Sequence, residues 1–369
     1  MIYMTQCATL CTTEIVDIDD IVHPQKVNVL MDTYRRAKSG ISYPPHKAFD
    51  RVIKKDIIDY VLNNPVKGKT AFIFAAGSQG WGWNTGKYDR NPDAKLHSKC
   101  KIPFITLSNI YAGRIASIFH VHDHVSTDAS ACASGLKVLM DMQHLFHLYG
   151  FDRVIVMAGE DATSIQTLEF FGEAKAHIPL DSTRVPSAFD SENYGFHVGQ
   201  GAALAVFERE HSGMAEPLCR FMGAYAASED STNPLGQRPD GNGYVKAAIG
   251  ALEVAKVAPK DIKLVKAHGT GTKMNNLSER AALTTVLPEF IATAYKPSIG
   301  HTLSASGLME TGLLLNDLKR GIVPKILNRT EHDDVFLSYD ASAPDKGPFM
   351  SLAAGMGNTY AAAIFSTEV

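Results

Sequence analysis

Short apolar runs ending near glycine alternate with longer helical patterns along this chain, and that alternation restricts its fold more than any other feature. "TAFIFAAG" (70–77), "DRVIVMAGE" (152–160), "GAALAVFER" (201–209), "IKLVKAHGT" (262–270) and "PFMSLAAGMG" (348–357) read as buried strands. Helical periodicity predicts helices over 132–149, 243–257, 278–287 and 304–319. Alternation on this scale predicts an α/β fold in layers. The best break is the polar stretch "EREHSGMAEP" (208–217), bounded by Gly213 and Pro217. It separates a longer N-terminal part from a shorter C-terminal one, each with strands ending in glycine-rich turns. This hints at duplication, although no repeat is legible residue by residue.

Composition narrows the functional classes. A net charge of −3 and a pI near 6.5 give no electrostatic reason to expect nucleic acid or an anionic membrane as a partner. No apolar run approaches the roughly 20 residues that span a bilayer. The start "MIYMTQCATLCTTEIVDIDD" lacks a basic segment followed by an apolar block, so a cytoplasmic protein is expected. The cysteines are Cys7, Cys11, Cys100, Cys132 and Cys219, an odd number without framework spacing, which fits a reducing compartment. Cys7 and Cys11 have no nearby histidine or further cysteine to complete a zinc site, so no metal is expected.

The run "DASACASGL" (128–136) sets one thiol among the smallest side chains, just before the helical pattern of 132–149. Cys132 then falls in a first helical turn, with Ser130 as a possible cap. Unpaired N–H groups and the helix dipole there would favour a thiolate. A small core cysteine is the competing reading. Two histidines weigh on the choice: His268 ends a strand-like run in "VKAHGTGT", and His301 follows Gly300 in "KPSIGHTLSASG". Both sit at the edge of a regular element, where α/β folds commonly place functional groups.

Taken together, these stretches resemble the β-ketoacyl synthases, the condensing enzymes of fatty acid and polyketide synthesis. The resemblance runs from about residue 120 to the end. "DASACASG" resembles the nucleophile motif. "FDSENYGFHVGQGAALAVFE" (189–208) keeps the family's Asp190, Gly195, Phe196, Gly199 and Gly201. "AHGTGT" with Glu279, "KPSIGHTLSASGLME" with Lys296 and Glu310, and "GMGNTYA" (355–361) resemble the two histidine motifs and the closing turn. The chain departs from the pattern at Gln200, Asn276, Met356, Asn358 and Tyr360, and the first 120 residues match poorly. "GSQGWGWNTG" (77–86) is unfamiliar and does not fit a dinucleotide fingerprint.

The resemblance implies a thiolase-like fold, layered α-β-α-β-α and built of two similar halves: 1–212 with the nucleophile and 213–369 with the histidine motifs. It implies Cys132 as acyl acceptor, and His268 and His301 as donors to an enolate oxygen. Lys296 and Glu310 would orient His301 electrostatically, with a structural ion pair as the alternative. Thr270 and Thr272 would line the channel for a pantetheine arm, Met356 would shape the mouth of the acyl pocket, and Gly357 and Phe196 are expected among the substrate-binding residues. The backbone N–H groups of Cys132 and Met356 would form an oxyanion hole. Substrates would ride on acyl carrier protein or coenzyme A, with no other cofactor, and a homodimer or heterodimer is expected. A non-catalytic chain-length factor would lack the cysteine. A thiolase would need a second cysteine near the C-terminus, and none follows Cys219. Initiating synthases pair histidine with asparagine. A cysteine hydrolase leaves the second histidine without a role.

Overall fold

Residues 1–11, 52–77, 107–160, 165–178, 184–191, 195–211, 213–233, 235–330, 335–337 and 341–369 are described by the computed structural model. Cys100 and most of the unfamiliar run 77–86 lie outside the described residues.

The chain begins with β1 (Ile2–Cys11), α1 (Lys55–Asn63), β2 (Lys69–Ala75), α2 (Ser108–Ile118), β3 (His124–Asp128), α3 (Ser134–Tyr149), β4 (Phe151–Glu160), α4 (Ile165–Glu173) and β5 (Gly201–Arg209). It continues with β6 (Cys219–Ser228), α5 (Asn242–Ala255), β7 (Leu264–Lys266), α6 (Lys273–Val286), β8 (Ile291–Thr293), α7 (Lys296–Ile299) and α8 (Ser306–Lys319). The last strands are β9 (Ile322–Val323), β10 (Ala341–Ser342), β11 (Pro348–Gly355) and β12 (Thr359–Ser366).

The main sheet runs β3-β2-β4-β5-β1-β6-β12-β11-β7-β8. Read from each edge toward the β1–β6 seam, its two sides have the same order and the same pairing senses. β2 is parallel to β3 and β4, while β4–β5 and β5–β1 are antiparallel; β7, β8, β11, β12 and β6 repeat this. Among the described residues, Ile2, Tyr3 and Met4 alone pair across the seam, with Phe221, Arg220 and Cys219. The two similar halves are thus present as topology.

Strand alternation generates the layers. Ala71, Ile73 and Ala75 of β2, with Ala361, Ala363 and Phe365 of β12, face one central core shared with α3 and α8. Phe72 and Phe74 point the other way, onto Ile115 and Ala116 of α2 and Ile57 and Val61 of α1. Tyr360, Ala362 and Ile364 similarly face Tyr244, Ala247 and Ala251 of α5. Helices cover both outer faces and fill the middle, an α-β-α-β-α stack. Strands buried on both faces read as near-continuous apolar runs, and β2, β4, β5 and β11 lie within a few residues of their predicted limits.

The duplication is also legible as sequence once the helices are aligned. "ACASGL" (131–136) precedes and opens α3, and "LSASGL" (303–308) precedes and opens α8. Each starts with a residue in the left-handed region, Ala131 at φ 48° and Leu303 at φ 47°, followed by one 3-10 turn. A Cβ on Gly135 would strike the carbonyl of Ser304, and one on Gly307 would press on Leu136. The two helices therefore cross closely at their first turns, and this crossing positions the site.

Candidate active site

Cys132 sits in the 3-10 turn Ala131–Ala133, not in the first turn of α3 as the sequence predicts. Ser130 caps nothing; its hydroxyl donates to Asp128 Oδ2 at 3.1 Å and its N–H to Oδ1 at 3.0 Å. Asp128 also pairs with Lys137 at 2.7 Å, so the elbow ahead of the cysteine is tied to the end of β3 and to α3. The β11–β12 turn lies against this elbow. A Cβ on Gly355 would come within 2.7 Å of the Ser130 carbonyl and 3.0 Å of the Ala133 nitrogen, so only glycine permits the approach.

A cavity of about 310 Å³ opens beside the thiol. Cys132, His268 and His301 all line it, with Phe196, Thr270, Thr272 and Met356. The two imidazole rings stand edge to face, 5.5 Å between centroids, and Phe196 packs on His301 at 4.9 Å. Thr270 and Thr272 have hydroxyls 3.2 Å apart. Gly357 lies on the exposed outer side of the β11–β12 turn at φ 84°, outside the cavity lining. The turn thus carries Met356 inward and Gly357 outward.

Backbone and buried charge hold each histidine. Glu279, on α6, accepts the His268 N–H at 2.5 Å and the Gly269 N–H at 2.9 Å, and is itself held by Asn275. Lys296 Nζ donates to the His268 carbonyl at 2.5 Å and to Glu310 at 2.8 Å. Lys296 and Glu310 therefore brace the His268 backbone by hydrogen bonds, while Lys296 acts on the His301 ring through its charge. The His301 N–H donates to the His197 carbonyl at 2.7 Å, and Gly199 N–H donates back to the His301 carbonyl at 2.8 Å. The His301 ring takes its partner from Ser306, whose Oγ lies 3.0 Å from Nδ1.

Sequence reasoning missed Lys266. Its ammonium is fully buried, 3.0 Å from the second oxygen of Glu310 and 2.8 Å from the Leu352 carbonyl. One carboxylate thus serves two cations. The signal was a lysine two residues before His268, at the end of a short, otherwise apolar strand. Ser306 and Thr302 were also overlooked, hidden in a run of small residues.

The electrostatics follow from burial. Burial, then Lys296, His301 and Lys266, hold His268 well below the usual imidazole range. Burial, Lys296 and Lys266 do the same to His301. Both rings are neutral at pH 7. Burial also pushes the Cys132 thiol up to about 12, opposed by Lys296 and reinforced by Glu160. The thiolate expected from the sequence is therefore not the resting form: the turn is buried, and desolvation outweighs the nearby ammonium. Among the described residues no group of three or more His, Cys, Asp or Glu is arranged to hold a metal.

The sequence matches "Beta-ketoacyl synthase, N-terminal domain" over residues 59–212 and "Beta-ketoacyl synthase, C-terminal domain" over residues 218–330. The chain belongs to the β-ketoacyl synthase family. Among its relatives, a 3-oxoacyl-(acyl-carrier-protein) synthase 2 of Mycobacterium bovis is 30% identical over 241 residues, 62% of this chain and 57% of that protein. An oxytetracycline polyketide putative beta-ketoacyl synthase 1 of Streptomyces rimosus is 28% identical over 269 residues, 70% of this chain and 63% of that one. The chain thus spans less than two thirds of the length of these curated relatives. The fold is shared with a chain from a complex of a type II polyketide acyl-carrier protein with its ketosynthase bound to the hexaketide: TM-score 0.76, 18% identity, covering 99% of this chain and 98% of that one. A chain from the complex of a ketosynthase with its chain length factor from Xenorhabdus doucetiae gives TM-score 0.76 and 18% identity, covering 99% of this chain and 97% of that one. These solved structures share the thiolase-like layers. Among the described residues, no helix of this family member is long and apolar enough to cross a membrane.

Proposed function

We propose that this chain is a condensing acyltransferase, a β-ketoacyl synthase that joins an acyl group on Cys132 to a malonyl thioester with loss of CO₂. The observation that carries the reading is the convergence of Cys132, His268 and His301, distant in sequence, on one cavity.

In the first half-reaction the Cys132 sulfur attacks the thioester carbonyl. The new C–S bond replaces the old one, and the thiol proton ends on the departing pantetheine sulfur. Met356, beside the cysteine in the cavity wall, and Cys132 itself offer backbone N–H groups to the tetrahedral oxygen. In the second half-reaction malonyl thioester loses CO₂, and the electron pair moves onto the thioester oxygen as an enolate. Two neutral imidazoles that each present an N–H stabilise that charge without an ion of their own to desolvate. The carbanion then attacks the Cys132 thioester carbonyl; the new C–C bond replaces the C–S bond, and the sulfur leaves as a thiolate that takes up a proton from solvent to restore the thiol.

Thr270 and Thr272 suit the amide groups of a pantetheine arm, and Met356 adapts to varied acyl shapes. Acyl carrier protein is the proposed donor, coenzyme A thioesters the alternative, and a dimer the proposed assembly. We also assign the nucleophile to a half spanning 1–212 and the histidine motifs to one spanning 213–369.

The test is intact mass spectrometry after incubation with acyl-carrier thioesters. A single adduct absent from Cys132→Ala protein is expected; no adduct, or one surviving that substitution, removes the nucleophile. A hydrolase would release malonate from malonyl thioester, whereas Cys132→Gln protein of a condensing enzyme releases CO₂.

A further inference from the structure

The two copies of the Ala-Ser-Gly-Leu sequence place a serine at equivalent positions, Ser134 opening α3 and Ser306 opening α8. Their hydroxyls do different things. Ser134 donates to the Ala131 carbonyl at 2.7 Å, three residues back, the ordinary use of a hydroxyl in a first helical turn. The equivalent acceptor for Ser306 is the Leu303 carbonyl. Ser306 instead lies 3.0 Å from Nδ1 of His301 and 3.1 Å from the hydroxyl of Thr302. All three residues are buried, Ser306 and Thr302 completely.

The number of acceptors fixes the direction of this chain of hydroxyls. Among the described residues, Ser306 is the one hydrogen-bond partner shown for the Thr302 hydroxyl. If His301 carried its proton on Nδ1, that proton would go to Ser306, the Ser306 proton to Thr302, and the Thr302 proton would have no acceptor in a dry site. A buried donor left unmade is costly, whereas an oxygen lone pair without a partner costs less. The favoured arrangement runs the other way: Thr302 O–H donates to Ser306, Ser306 O–H donates to Nδ1, and the ring proton sits on Nε2.

We infer that Ser306, set by Thr302, is a positioning residue that locks His301 in the Nε2–H tautomer, so that the ring always offers a donor to the reacting oxygen. The inference rests on the proposed role of His301 at the enolate. It adds a cause: a neutral ring free to choose would present a lone pair to the enolate part of the time, and a lone pair repels the developing charge. Ser306→Ala removes the donor to Nδ1. Thr302→Val leaves Ser306 in place but frees its hydroxyl to turn toward the Leu303 carbonyl, as Ser134 does toward Ala131.

The experiment uses full-length protein labelled with ¹⁵N-histidine, with His301 signals assigned by their loss in His301→Gln. The expected wild-type spectrum shows a protonated Nε2 and an unprotonated, hydrogen-bonded Nδ1. Ser306→Ala should mix the two tautomers, and Thr302→Val should shift them in the same sense by less. In the Cys132→Gln background, Ser306→Ala should slow CO₂ release from malonyl thioester at least tenfold, whereas acyl loading in otherwise wild-type protein should change less than threefold. Thermal melting checks that each variant folds. A wild-type ring protonated on Nδ1, or tautomer signals unmoved in both variants, overturns the inference. So does CO₂ release by Ser306→Ala within twofold of its parent. If the Cys132→Gln parent releases no CO₂ at all, the functional reading fails, and the tautomer assignment is then decided by the spectra alone.

Discussion

Glu310→Gln is the sharpest perturbation the buried charges allow, because it changes one charge and almost no volume. In the wild type Glu310 lies 2.8 Å from Lys296 and 3.0 Å from Lys266, all three essentially without solvent contact. At an effective dielectric constant of about 20, a unit-charge pair at such a distance is worth roughly 6 kcal/mol gross. Much of that offsets desolvation, and breaking a buried pair costs about 3–5 kcal/mol net because the partner is left uncompensated. Here two partners are left. Lys266 is already held below the usual lysine range by burial and by Lys296, with Glu310 opposing both. Removing the carboxylate lowers it further, so the folded state binds fewer protons than the unfolded state, and stability rises with pH. The deficit against wild type should therefore be largest near pH 7 and shrink toward pH 9.5. Lys266→Met leaves a one-to-one pair and should cost under about 1.5 kcal/mol, and the double variant should be less damaged than the sum by at least about 1 kcal/mol. Urea unfolding followed by far-UV circular dichroism at both pH values measures all of this. A Glu310→Gln deficit under 1 kcal/mol at pH 7, or one unchanged by pH, refutes the electrostatic account.

Four further outcomes follow from the same geometry. With its thiol pushed up to about 12, Cys132 should react with iodoacetamide about tenfold faster per pH unit from 7 to 9, and a plateau below pH 8 would show a thiolate already present. His268→Ala and His301→Ala should each lower CO₂ release by Cys132→Gln protein about 100-fold; a loss under fivefold would take that ring out of the reaction. His197, His268 and His301 are buried neutral, so the unfolded chain binds more protons, and stability should fall as pH drops below about 6.5. His197, held at about 4, alone accounts for roughly 3 kcal/mol by pH 4, and urea midpoints that stay flat from pH 7 to 4.5 would contradict this. Gly135→Ala drives a Cβ into the Ser304 carbonyl and should cost about 1–3 kcal/mol, whereas a melting temperature within a degree of wild type would mean that the helix crossing gives way freely.

The strands legible in the sequence are those buried on both faces. β1, β6 and β12 were not read as strands, although they form the middle of the sheet. β1 carries Thr5, Gln6 and Thr9 among its apolar residues, and Thr5 is spent on buried Glu208, a partner 203 residues away. β6 and β12 are rich in alanine, which says little about strand or helix without the pairing partner. Helix α6 starts at Lys273, ahead of the predicted 278, because its first turn is polar and contributes Asn275 to the Glu279 network. The site shows the same division. Cys132, His268 and His301 stand at element ends, where sequence signals are strong. Lys266 was passed over because a charged residue within a strand reads as an edge until its carboxylate is located in space.

The duplication explains why the missing part of the site had to be three-dimensional. The two Ala-Ser-Gly-Leu turns have the same backbone, yet Cys132 of one and Ser304 of the other stand at equivalent positions with unlike tasks. The Ser304 hydroxyl donates to the Gly159 carbonyl at 3.1 Å and to Glu160 at 2.9 Å, at the end of β4 in the opposite half. The second turn is therefore a brace for the first, and its serine is already committed to that contact. Glu160, which raises the Cys132 thiol, is held by the same contact. One glycine-permitted crossing between α3 and α8 thus sets the cysteine, its neighbouring carboxylate and, two residues before Leu303, His301. A chain that docked its halves out of register by one helical position would lose all three together, so formation of the site and mutual docking of the halves are a single event.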